Sequence, residues 1–266
     1  MWYSIPGLRT SALRRFHRSD DRVIRTVLFD LDGTLVHFEF DDFLQAYLGA
    51  IGDRVSKLID PQVFLAQLLA STKEMVRSLH PAKTNRDVFM GHFFPGLGRA
   101  ADELMPIIDA FYDEDFPRLR DTLAVEPHPL ARPLLAGLIE RGYDVVIATN
   151  PVFPANAIEE RMRWGGLDGL PYRHVTSYET SHFCKPNTEY YAEILETVDR
   201  APHECLMVGN DTYEDLVAGD LGIITYLVED YMLDRGPFRR DPNYRGRFED
   251  LESFFSSEEF AGMAGV

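Results

Sequence analysis

The sequence predicts an α/β protein: a doubly wound parallel sheet with a mostly helical segment inserted after the first strand. Three observations carry this. From residue 127 onward, short apolar runs bounded by turn residues alternate with stretches of helical periodicity, as crossover helices between parallel strands require. Between residues 37 and 126 the pattern is almost wholly helical. The composition is that of a globular chain, 266 residues with 45% apolar, enough to bury a sizeable core.

The first residues carry charge but no readable chemistry. Residues 1–26 hold six arginines against Asp20 and Asp21, together with Ser4, Ser11 and Ser19. No apolar stretch follows them, which argues against a secretory signal. Residues 1–23 are expected to form a basic leader lying on an acidic body; an Arg/Ser-rich transit peptide is the other reading.

Thr26-Val-Leu-Phe-Asp-Leu-Asp32 reads as a short buried strand closed by Gly33-Thr34. Phe43, Leu44, Tyr47, Leu48, Ile51 and Val55 then recur at helical spacing behind the candidate caps Asp41 and Asp42. Asp60-Pro61 is an N-cap followed by proline at the first helical position, opening a second helix through Leu79. Two further helices are expected around Asp87–Phe94 and Pro106–Leu119. Residues 37–126 are thus a mostly helical insert, and residues 24–36 with 127–266 the core. In the core, helices are expected over Pro133–Arg141, Ala155–Trp164, Thr212–Gly219 and Phe248–Phe255, and from the cap Asn187 to Val198. Strands are expected at Tyr143–Thr149, Tyr172–Tyr178, Cys205–Val208 and Ile223–Val228.

Composition narrows the function classes. With 43 acidic and 27 basic residues the formal charge is −16, the wrong sign for a general nucleic-acid binder. No apolar run approaches the ~18 residues of a membrane span. Cys184 and Cys205 suit small buried residues in a reducing compartment, not a disulfide framework. A cytoplasmic protein acting on a small molecule, without nucleic-acid or membrane partners, is expected. Nothing in the pattern fixes an oligomeric state.

Four stretches carry chemistry. Asp30-Leu-Asp32-Gly33-Thr34 puts two carboxylates at the carboxyl end of the first strand, the edge where open α/β sheets bind ligands. Such a pair can hold a hard divalent cation; one acid can also attack phosphorus while the other moves a proton. Both could equally cap a turn. Val145-Val-Ile-Ala-Thr149-Asn150 ends a strand in a hydroxyl and an amide able to bond phosphoryl oxygens, or to satisfy the strand-end turn. Lys185, before Pro186, is the only lysine after residue 83 in a chain with four lysines and 23 arginines. A compact point charge is thereby placed where the chain otherwise chooses arginine. Gly209-Asn210-Asp211-Thr-Tyr-Glu-Asp215 ends a strand in acids four residues apart, which one helical turn brings to the same side.

In that order, these stretches make the chain resemble the haloacid dehalogenase-like (HAD) superfamily of hydrolases. Asp30–Thr34 matches the family's first motif, Thr149 its second, Lys185 its third and Asp211 with Asp215 its acidic fourth. The insert resembles the helical C1-type cap of the phosphatase branch, and the core is expected to be Rossmann-like. The resemblance implies a Mg²⁺-dependent phosphatase acting on a small phosphorylated substrate, with Asp30 as nucleophile and Asp32 as acid/base. Thr149, Asn150 and Lys185 would hold phosphate. The metal would be held by Asp30, the Asp32 carbonyl and Asp211, with Asp215 in the outer shell. Many relatives have Gly-Asp where this chain has Gly209-Asn210-Asp211, so either Asp211 or Asn210 takes the ligand's place; Asp211 is the expected one.

Four rival readings stand beside this one. The dehalogenases themselves lack a second acid like Asp32 and need no metal, whereas a phosphomutase would use both acids. A phosphonate-cleaving relative would need a cap lysine, for which only Lys57, Lys73 and Lys83 are present. A non-catalytic binding protein of the same fold would not need the full set of acids. Substrate choice is expected to lie in the cap, among Phe38, Phe40, Arg77, His80, Arg86, His92 and Phe93.

Overall fold

The computed structural model describes residues 24–236 and 240–264; the basic leader lies outside them. The elements run β1 (Thr26–Phe29), β2 (Val36–His37), α1 (Phe40–Val55), α2 (Pro61–Arg77), α3 (Asn85–Leu97), α4 (Ala101–Ala110), β3 (Glu126–Pro127), α5 (Ala131–Glu140), β4 (Asp144–Ile147), α6 (Ala155–Trp164), β5 (His174–Val175), α7 (Thr188–Val198), β6 (Cys205–Gly209), β7 (Ile224–Val228), β8 (Tyr244–Gly246), α8 (Phe248–Phe255) and α9 (Glu258–Ala264). Six strands form one sheet in the order β5-β4-β1-β6-β7-β8, parallel throughout.

This sheet is the doubly wound core expected from the alternation. β1 and β6 are buried along their whole length, so their apolar runs are continuous, as strands covered on both faces require. From β1 the chain winds outward to β4 and β5, then returns past β1 to build β6, β7 and β8. The reversal opens a crevice beyond the carboxyl ends of the central strands. Phe29 lies level with Ile147 on one side and Val208 on the other. The residues that follow each strand therefore emerge side by side.

The cap is α1–α4 and the irregular turns after them. Asp60 caps α2 by accepting from the Gln62 N–H at 2.8 Å, with proline next in line. α3 starts earlier than its apolar spacing suggested, because Thr84 and Asp87 form a reciprocal capping box. Asp41 and Asp42 sit inside the first turn of α1, where their charge suits the helix N-terminus, and do not cap it. Over 106–119 the chain is less regular than expected. α4 gives way to one π turn (Phe111–Asp115) and then 3-10 turns (Phe116–Thr122).

Other expectations also shift. Asn187 stands at the start of α7 but donates to the Val76 and Cys184 carbonyls instead of capping. Only His174–Val175 of the expected strand 172–178 pairs with β4. The expected helix 212–219 is a short 3-10 segment, Leu216–Leu221. The antiparallel pair β2–β3, which closes the neck of the cap, was not anticipated; nor were β8 and α9.

Cap and sheet share one apolar core. An aromatic seam joins them: Phe116 of the cap stacks on Trp164 of α6 (centroids 5.5 Å, planes 14° apart), and Phe43 of α1 meets Phe153 and Trp164 edge-on.

Candidate active site

Beyond the ends of β1, β4 and β6 lies a cavity of about 520 Å³, lined by Asp30, Asp32, Thr149, Asn150, Asp211 and Asp215 among others. The chain after β1 turns back on itself: the N–H groups of Leu35 and Val36 donate to the Leu31 carbonyl at 2.9 and 3.0 Å. Gly33 takes φ +77°, and a Cβ there would run into the Asn210 amide. Only glycine fits both conditions.

Lys185 lies under the cavity floor, 1% exposed. Its Nζ donates to Asp30 Oδ1 at 2.8 Å and Asp215 Oδ1 at 2.6 Å. Burial works against its charge, but Asp215 and Asp30 together outweigh that and hold it well above the usual lysine range. Burial in turn pushes Asp30 up to about 6 and Asp215 up to about 7, with Lys185 opposing in both cases. Glu214, one residue before, is pushed by burial to about 7 as well. The acids here outnumber their cations.

Asp32 has a different partner. Its Oδ2 pairs with Arg161 Nη1. Arg161 is 1% exposed and sits on the inward stripe of α6 with Ala157, Ile158 and Met162. The Phe153 and Phe43 rings lie 4.7 and 5.8 Å from its guanidinium carbon, within cation–π reach. Burial pushes the Asp32 carboxyl above its ordinary range, with Arg161 opposing. Asp32 Oδ1 and Arg161 Nε and Nη2 are buried without partners.

The second and fourth stretches complete the floor. The Thr149 carbonyl accepts from Thr176 (2.7 Å) and Tyr190 (2.9 Å), which fixes the end of β4. The Asn150 amide donates to Glu214 Oε2 at 3.0 Å and the Lys185 carbonyl at 3.4 Å, so its N–H groups tie the floor together instead of facing the cavity freely. Asp215 Oδ2 accepts from the Asp211 N–H at 2.9 Å. A Cβ on Gly209 would strike the Asp215 carboxylate. Asn210 is held by the Thr34 hydroxyl (3.1 Å) and donates to the Tyr231 carbonyl at 2.5 Å. Asp211 Oδ1 accepts from the N–H groups of Tyr213 and Glu214, and Oδ2 from Arg235 Nε at 2.7 Å. These bonds close the turn of 211–215 and satisfy its first N–H groups.

The four stretches thus converge at one sheet edge. A haloacid dehalogenase-like hydrolase model matches residues 24–220. The chain belongs to that family of hydrolases. It is 25% identical over 196 residues to the pyrophosphatase PpaX of Bacillus mycoides, covering 74% of this chain and 79% of PpaX. Among solved structures it resembles a predicted phosphoglycolate phosphatase of Haemophilus somnus (TM-score 0.54, 17% identity, 87% of this chain and 97% of that one). It resembles equally the L-2-haloacid dehalogenase of Xanthobacter autotrophicus (TM-score 0.51, 18% identity, 89% and 100%). The HAD fold is common to both, so the reaction must be argued from the site.

In this HAD hydrolase the cavity draws little from the cap. Phe38 and Phe40, at the neck, line it; Arg77, His80, Arg86, His92 and Phe93 do not. Phe93 belongs to the cap's own core, its ring 5.4 Å from Phe64. The opposite wall is the segment Glu229–Leu233 with Arg235. Lys57, Lys73 and Lys83 are exposed and none lines the cavity. Arg161, Glu214 and Arg235 escaped the sequence reading. For Arg161 a signal existed: a charged residue in register with an apolar helical stripe.

Among the described residues no three Asp, Glu, His or Cys side chains converge as a ready metal cluster. The donor chemistry nevertheless fits Mg²⁺. The potential ligands lining the site are oxygens only, and Asp32 Oδ1 is buried there without a partner. No helix among the described residues is long and apolar enough to cross a membrane.

Proposed function

We propose that this hydrolase is a Mg²⁺-dependent phosphatase that cleaves a small phosphomonoester through an aspartyl-phosphate on Asp30. The observation that carries the reading is the pair of acids on one strand end. Asp30 is held by Lys185 and Asp32 by Arg161, and both line one cavity. A haloacid reaction has no use for the second acid. The names of two relatives, a pyrophosphatase and a predicted phosphoglycolate phosphatase, also favour phosphoryl chemistry.

In the first half-reaction a carboxylate oxygen of Asp30 bonds to phosphorus as the ester P–O bond breaks, and the Asp32 carboxyl gives its proton to the departing oxygen. In the second, Asp32 takes a proton from water whose oxygen bonds to phosphorus. The Asp30–phosphorus bond breaks, releasing inorganic phosphate and restoring the carboxylate. Burial raises the Asp32 carboxyl, the direction that suits a group that must carry a proton. Lys185 and the end of β4 at Thr149 supply fixed positive charge and donors to the phosphoryl oxygens. Asp215 orients both Lys185 and the Asp211 backbone. Asp30, Asp211 and the Asp32 carbonyl would hold Mg²⁺, which supplies further neutralisation of phosphoryl charge.

Turnover of para-nitrophenyl phosphate with and without Mg²⁺ tests the class, and rapid quench with mass spectrometry tests the intermediate. Wild type should carry a phosphoryl adduct on Asp30, and Asp30→Asn should abolish turnover. Unimpaired hydrolysis by that variant would falsify the covalent route.

A further inference from the structure

Among the described residues, Arg161 is the fully buried cation whose donors greatly exceed its acceptors. One Nη1 contact goes to Asp32 Oδ2. Nε and Nη2, three N–H donors between them, are buried and have no partner. Unmet guanidinium donors are costly, and a buried polar group left without a partner calls for an explanation. Water does not reach these atoms in any quantity, since the side chain is 2% exposed. It nonetheless lines the cavity that holds Asp30 and Asp32.

We propose that Arg161 is a specificity determinant: it binds a second anionic group carried by the leaving group of the substrate. This deepens the proposed phosphatase reading and rests on it. The placement follows from Asp32. If Asp32 protonates the departing oxygen, that oxygen lies next to Asp32, and Arg161, paired with the same carboxylate, lines the same cavity beside it. An anion one or two bonds beyond the departing oxygen comes within reach of the free Nε and Nη2 fork. The planar fork matches the two oxygens of a carboxylate or of a second phosphoryl group. Phe153 and Phe43 flank the guanidinium and exclude water, so the contact is made at low dielectric where it discriminates most. The substrate class is therefore a short phosphoester or anhydride whose leaving group is itself anionic. A neutral alkyl leaving group would leave the fork unmet.

The test is a binding measurement, so that it does not depend on turnover. Calorimetry with Mg²⁺ present would compare phosphonoacetate (second carboxylate), methylenediphosphonate (second phosphoryl) and ethylphosphonate (no second anion). Wild type should bind at least one of the first two roughly 10–100-fold more tightly than ethylphosphonate, as charged hydrogen bonds imply. Whichever of the two gains more identifies the second anion. Arg161→Gln should bring that ratio close to one. Arg161→Lys keeps a charge beside Asp32 but loses the fork, and should lose most of the ratio while melting near the wild-type temperature. If Arg161 only props Asp32, its variants will weaken all three ligands alike and leave the ratio standing. That outcome, or a wild type that does not prefer the dianionic ligands, overturns the proposal. Absence of para-nitrophenyl phosphate turnover would count against the phosphatase reading and leave the ratio as an independent result.

Discussion

Asp30 and Asp32 are two residues apart yet live in different electrostatic company, and their variants should fail differently. Asp32→Asn should slow turnover roughly 10²–10⁴-fold, the usual loss for a general acid/base. The loss should be smaller with para-nitrophenyl phosphate, whose leaving group needs little protonation, than with an alkyl phosphate. Equal losses would remove Asp32 from that role. At the fourth stretch, Asn210 is spent on Thr34 and Tyr231, whereas Asp211 faces Arg235 across 2.7 Å. Asp211→Asn should therefore raise the Mg²⁺ concentration needed for half-maximal activity, and Asn210→Ala should change it far less. Arg235→Gln should lower that requirement, because it frees an Asp211 oxygen; magnesium titrations of the three variants check the order. At this scale the acids were legible from their spacing after β1 and β6, and Lys185 as the only lysine after residue 83. Arg161 and Glu214 were not, since their roles arise from what packs beside them. Asn150 was assigned by type, and the type does not reveal that its amide is already used.

At the level of elements, the neck pair β2–β3 carries His37, and His128 follows directly after β3. His37 is buried and bonds the Thr34 carbonyl through Nε2 at 3.3 Å; its ring lies 5.0 Å from that of His128. Burial lowers His37, and His128 lowers it further, against the pull of the Thr34 carbonyl, Asp230 and Glu126. Burial lowers His128 too, against Asp230 and Glu249 and with Arg247 assisting. Both therefore fold neutral and protonate more readily when unfolded. The unfolded chain binds more protons below the ordinary histidine value of about 6.5, so stability is present above it and is lost as pH falls. His37→Gln keeps a donor for the Thr34 carbonyl but cannot titrate; because the raised Asp30, Asp215 and Glu214 carboxyls act with the opposite sign in the same window, its unfolding free energy relative to wild type should rise as pH falls from 7.5 to 5. A slope equal to wild type would contradict this account. The long helices and buried strands were legible from periodicity and caps. The neck was not, because two-residue strands are too short for alternation to register; the helix expected at 212 starts later, as the 3-10 segment Leu216–Leu221.

On the scale of the whole molecule, the inserted cap does not stand apart from the sheet. The apolar cluster runs from Phe29 and Val208 in the sheet to Phe64 and Phe93 in the cap without a break. Unfolding should accordingly be a single transition by heat or denaturant, with cap and core signals coincident. Phe116, fully buried in the seam, should cost about 3–5 kcal/mol when truncated to alanine, with the loss felt on both sides at once. Two separated transitions in the wild type would show that the seam is not continuous in energy. The sheet topology and the existence of a helical insert were legible in the alternation of the chain; the depth of the cap–core contact was not, because aromatic spacing alone does not say which ring meets which. That contact also gives the protein an optical gauge. Trp164, 1% exposed, is one of only two tryptophans, the other being Trp2. A Trp2→Phe chain would emit from the seam alone. Any ligand that parts Phe116 from Trp164 would shift that emission to the red, so the opening of the cap can be timed in a stopped-flow instrument without attaching a dye.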